Sequence, residues 1–116
     1  MMSDTQYQDT FRKTVGRMKD LADEIPDVMK GFQDVGAAAI ADGVLDAKTK
    51  ELIALALGVA ARCEGCVAFH ARALSKLGAT RAEVAETLGV AIQMGGGPSL
   101  MWATEALAAF DEFSAK

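Results

Sequence analysis

Residues 51–70 read ELIALALGVAARCEGCVAFH, and they hold both cysteines and the only histidine of the 116-residue chain. From Leu52 to Ala61 the side chains are almost all apolar and mostly small. Val, Ile and Leu would also suit a buried strand, but the alanine content and the length of the run favour helix. A segment apolar on every side predicts burial on several sides. Cys63 and Cys66 follow as a Cys-x-x-Cys pair, with His70 four residues beyond the second cysteine. In a helix, residues three, four and seven apart share a face, so Cys63, Cys66 and His70 are expected to line one stripe.

Outward from this stretch, helical signals continue in both directions. On the N-terminal side, residues 1–3 read as a loose tail. Tyr7, Phe11, Val15, Met18 and Leu21 recur at spacings of three and four within a first helix from Asp4 to about Leu21. Pro26 opens a second helix to about Ala41, carrying Val28, Met29, Phe32, Val35 and Ile40, with Gly43 as its stop. Asp46 is the expected N-cap of the third, which reads as the most buried. On the C-terminal side, the fourth helix runs from about Cys63 to Leu77 and ends at Gly78. Thr80 to Glu83 matches a capping box and opens a fifth, with Val84, Leu88, Ala91, Ile92 and Met94 inward. Gly95-Gly96-Gly97-Pro98 ends it. The sixth, Ser99 to Phe113, carries Leu100, Met101, Leu107, Phe110 and Phe113. The expectation is one all-α domain over residues 1–116 with about six helices.

Composition narrows the function classes. The net charge is −4 and the basic residues are scattered singly, which argues against nucleic acid. No apolar run reaches the roughly 20 residues of a membrane span. The first thirteen residues lack the charged start and apolar middle of a signal peptide, so a cytoplasmic location is expected. In that compartment a close cysteine pair points to catalysis or metal binding rather than a structural disulfide. The glycine turn at 95–98 lacks the Gly-Lys-Ser/Thr of a phosphate loop. No nucleotide or flavin motif is visible, and no cofactor is expected. A hydrophobic content of 51% suggests further burial in an oligomer.

The chemistry of the stripe is that of a thiolate, the reactive form of cysteine. Cys63 sits near a helix N-terminus, where the dipole favours an anion. Cys66 has His70 one turn later to take its proton. Helix position favours Cys63 as nucleophile and the base favours Cys66, and the residues leave the order open. Glu51 is the only ionisable residue between Lys50 and Arg62. If the two helices pack antiparallel, it meets His70, and a carboxylate that orients an imidazole is a recurrent device in nucleophilic sites. A redox-sensing or metal-binding module on the same Cys/Cys/His stripe is the alternative; structural zinc would need a fourth ligand.

The ordered set Glu51, Cys63-Glu64-Gly65-Cys66 and His70, with the pattern around it from Leu45 to Phe110, resembles the alkylhydroperoxidase D-like family of the carboxymuconolactone decarboxylase superfamily. The resemblance covers about the C-terminal two-thirds of the chain. It implies an all-helical fold assembled into homotrimers or homohexamers. It implies thiol-dependent reduction of a small hydroperoxide, with the disulfide re-reduced by a lipoyl- or thioredoxin-like dithiol partner. On that model Cys66 is the nucleophile and Cys63 the resolving thiol, while His70 and Glu51 relay the proton. The decarboxylase branch lacks the cysteine pair, so the dithiol argues against its chemistry here. The chain departs from the family at Gly65, where well-studied members carry a second histidine. The relay is one group shorter, and disulfide exchange does not depend on it.

Overall fold

The computed structural model describes residues 5–115 and contains six helices. They are α1 (Gln6–Glu24), α2 (Pro26–Ile40), α3 (Ala47–Ala60), α4 (Glu64–Lys76), α5 (Arg81–Gly95) and α6 (Gly97–Ser114). The all-α expectation holds among the described residues. The tail at residues 1–3 and the expected start at Asp4 lie outside them. No helix is long and apolar enough to cross a membrane.

The local signals act as the sequence implies. Asp46 accepts a hydrogen bond from the Thr49 N–H at 2.8 Å and so caps α3. Hydrogen bonding from Thr49, its side chain first and its N–H second, holds the Asp46 carboxyl below its ordinary range. The Thr80–Glu83 capping box is complete in both directions. Glu83 also meets Lys48 of α3 at 2.9 Å, which ties the start of α5 to the start of α3. Pro26 occupies the first turn of α2, where its missing N–H costs nothing.

The core lies between α3, α4, α5 and α6, with Leu55, Val59, Val67, Leu74 and Val84 fully enclosed. Burying each such side chain contributes about 1.5–3 kcal/mol. Helix α4 packs on α3, α6 and α1, whereas α2 touches only α1 and α3. The N-terminal helix is fastened to α6 by three hydrogen bonds, one of them from Gln8 Nε2 to the Glu112 carbonyl at 3.5 Å. The Tyr7 hydroxyl donates to Glu105, and the Gln8 N–H, a free donor of the first turn, donates to Glu112 at 2.6 Å. Burial, followed by the Glu105 carboxylate, raises the Tyr7 phenol well above its ordinary range.

Two expectations are corrected. Helix α3 is packed by α4, α5 and α6 but one side stays open: Ile53 and Leu57 face outward, and only Glu51, Leu55, Gly58 and Val59 are fully buried. Met94 points away from the core, not into it. In α6 the inward face is Ser99, Ala103, Ala106, Ala109 and Phe110, while Leu100 and Met101 are exposed. Small side chains let α6 lie close against α4 and α5, with Phe110 buried among them and Trp102, Leu107 and Phe113 packed at the edge of the core. In α1, similarly, Tyr7 is buried but Val15 and Leu21 are exposed.

Candidate active site

The site is built by the antiparallel pair α3–α4 and the three-residue turn between them. That turn is a Schellman motif. The Cys63 N–H donates to the Gly58 carbonyl at 3.0 Å and the Arg62 N–H to the Val59 carbonyl at 3.1 Å. Arg62 takes the left-handed position, with φ 57°. Gly78 does the same after α4, with φ 77°. An arginine in that conformation costs roughly 1–2 kcal/mol that glycine avoids. The turn delivers Cys63 in extended conformation as the N-cap of α4.

Cys63 and Cys66 are joined in a disulfide, with Cα atoms 5.2 Å apart. The Cys66 N–H donates to Cys63 Sγ at 3.2 Å, so the first sulfur serves as the helix cap. Cys66 is the third helical residue. Both sulfurs therefore lie in the reach of the α4 dipole, and helix position separates them less than the spacing suggested. Both are half-buried.

Glu51 and His70 meet as the antiparallel arrangement requires. His70 Nδ1 lies 2.6 Å from Glu51 Oε1. A carboxylate can only accept, so Nδ1 carries the donated proton and Nε2 is left as the basic nitrogen. The Glu51 side chain is 10% exposed and that of His70 is 31% exposed, so the acid is inside and the imidazole opens outward. One turn of α4 separates His70 from Cys66.

One residue that the sequence reading passed over also shapes the site. Gly58 faces Cys66 from α3: a Cβ there would stand 3.1 Å from Cys66 Cβ. Glu51, Leu55 and Gly58 fall at i, i+4 and i+7 and form the α3 face that meets α4. The signal was an isolated glycine inside a helical apolar run, which marks close approach. On the other side of α4, a Cβ at Gly65 would lie 3.8 Å from Thr14 Cγ2, so α1 runs beside the position where the family pattern has histidine. Among the described residues no group of three or more histidine, cysteine or acidic residues is placed to hold a metal ion.

Fold and site together define a helical protein with a bridged Cys-x-x-Cys pair beside a carboxylate-held imidazole. The chain belongs to the carboxymuconolactone decarboxylase family, whose model matches residues 26–109. It is an alkylhydroperoxidase D-like member of that superfamily, as the resemblance implied. The crystal structure of an apo carboxymuconolactone decarboxylase family protein from Legionella pneumophila superposes with a TM-score of 0.93 at 51% identity, covering 95% of this chain and 98% of that one. An uncharacterised protein of Cupriavidus necator is 49% identical over 90 residues, 78% of this chain and 80% of the relative. "Uncharacterized protein 4 in cox locus" of Paracoccus denitrificans is 36% identical over 81 residues, 70% of this chain and 73% of that protein.

Proposed function

We propose that this chain is a thiol-dependent peroxidase or disulfide reductase of the alkylhydroperoxidase D type, with Cys66 as nucleophile. The observation that carries the reading is the Cys63–Cys66 disulfide at the head of α4, one turn from the His70–Glu51 pair. In the reduced enzyme, His70 Nε2 takes the Cys66 proton and Glu51 steadies the resulting imidazolium. The thiolate attacks the terminal oxygen of a hydroperoxide. The S–O bond forms as the O–O bond breaks, and the alkoxide leaves with the proton as an alcohol. Cys63 then attacks the sulfenic sulfur, water departs, and the disulfide closes. Two electrons from a partner dithiol, lipoyl- or thioredoxin-like, reopen it by exchange. A reducing cytoplasm is the compartment this cycle assigns it.

A second reading has one observation in its favour. Gly65 takes the place of the family histidine, so dithiol exchange or sensing without peroxide turnover needs nothing the site lacks. The family's homotrimeric or homohexameric assembly is proposed on the same footing. Its support is the face of α2, where Val28, Phe32 and Val35 are each about two-thirds exposed (64%, 69% and 66%).

The test is turnover of an organic hydroperoxide with dihydrolipoamide as electron donor. Wild type should cycle, and Cys66→Ser and Cys63→Ser should each lose turnover by at least about a thousandfold. Near-normal turnover in Cys63→Ser would remove the resolving step and with it this mechanism.

A further inference from the structure

A second concavity lies on a different face of α4 from the Cys66–His70 stripe. It is a cleft of about 810 Å³ between the first half of α1, the second half of α4 and the end of α6. Phe11 and Phe113 give it two aromatic walls, their rings 6.3 Å apart and edge to face. Arg12, Arg72 and Lys76 bring three cations to it, and no carboxylate side chain is among its described lining residues. That concentration stands out in a chain of net charge −4.

The three cations are not equivalent. Arg12 is paired with Asp9 on its own helix, which offsets part of its charge. The Arg72 guanidinium lies over the Phe11 ring, 4.3 Å from its centroid. The stacking fixes the plane of the group, and among the described residues no acceptor meets its N–H donors. A guanidinium held this way presents a ready fork for a carboxylate or phosphate. Lys76 stands one turn further along α4, and it too has no ion pair among the described residues. The two serines of the cleft are occupied with each other and with the backbone. Ser75 Oγ donates to the Phe113 carbonyl and Ser114 Oγ to Ser75 Oγ, each at 3.2 Å. They fasten α6 to α4 and leave recognition of charge to Arg72 and Lys76.

We propose that this cleft binds a small organic anion, a carboxylate or phosphate carried on an apolar or aromatic body, with Arg72 and Lys76 on the anion and Phe11 and Phe113 against the body. Size argues for the body. Small-molecule pockets run about 300–1,000 Å³, and an inorganic anion alone would leave most of this one empty. None of the exposed apolar residues of α2 lines the cleft, so the interface proposed for that helix does not use its walls. The site is independent of the dithiol, and the test is made in Cys66→Ser protein so that redox activity has no part in it.

Calorimetric titration with 5-phenylpentanoate, its neutral analogue 5-phenylpentan-1-ol and inorganic phosphate reads the proposal. The acid should bind with a micromolar Kd, at least about tenfold tighter than either control, and added salt should weaken it. Lys76→Gln, a change at an exposed residue, should weaken it about tenfold, and Arg72→Gln by as much or more. Arg12→Gln should cost less. Equal affinity for the alcohol and the acid, or unchanged affinity in Lys76→Gln and Arg72→Gln, would overturn the anion site. Inorganic phosphate binding as tightly as the acid would overturn the role of the aromatic walls.

Discussion

Helices α2 and α3 have 15 and 14 residues, and both are mainly apolar. One buries no residue at all; the other buries four, including the candidate catalytic acid. Hydropathy does not separate them. What does is the number of neighbours: α3 is packed by α4, α5 and α6, whereas α2 rests on α1 and on a short stretch of α3. An apolar helix face is thus a statement about what must be covered, not about what covers it. In α3 the chain itself supplies the cover. In α2 the stripe Val28, Phe32 and Val35 is left to another copy, on the assembly proposed above.

That contrast can be broken most forcefully by large-to-small changes on the two helices. Leu55→Ala in α3 should lower unfolding stability by about 2–5 kcal/mol in urea melts. Phe32→Ser in α2 should change the stability of the monomer by no more than about 0.5 kcal/mol. It should instead shift the sedimentation coefficient toward the monomer. A large loss of monomer stability from Phe32→Ser would mean that α2 is a core helix after all.

Glu51→Gln sharpens the contrast at the site. It keeps the shape of the buried side chain but not its charge. Hydroperoxide turnover should fall about 100-fold, roughly 2.7 kcal/mol in the barrier, with stability changed far less than in Leu55→Ala. A smaller effect is expected at the turn that joins α3 to α4. Arg62→Gly should raise stability by about 0.5–1 kcal/mol, because the relief of the left-handed arginine exceeds the added freedom of glycine when unfolded. Replacing Gly78 by alanine in the equivalent turn after α4 should have the opposite sign.

Much of this was legible in the sequence because the signals are local. Asp46, the Thr80–Glu83 box, Pro26 and Gly78 each act through their own backbone neighbours, so helix boundaries fall within a few residues of expectation. The site was legible because its four residues lie within twenty positions and one antiparallel turn brings them together. What was not legible depends on distance between helices. The inward face of α6 is alanine and serine with one phenylalanine, Phe110, because α4 and α5 come close, and helical spacing alone does not tell that face from the one carrying Leu100 and Met101. The spacing that places Val84, Leu88 and Ala91 inward does not carry to Met94, near the end of α5. Gly58 carried its meaning only once Cys66 stood opposite it. Arg62 offered no signal, since arginine is not a residue expected at a left-handed helix end.

The central claim is that Cys66 and Cys63 form a peroxide-driven dithiol couple, and intact-mass analysis tests it most directly. The reduced protein would be mixed with one equivalent of an organic hydroperoxide and sampled over time. The account predicts rapid loss of two hydrogens, with an added oxygen seen only transiently; in Cys63→Ser the oxygen adduct should persist. Native thiols untouched by hydroperoxide, in protein whose thiols react once it is unfolded, would contradict it.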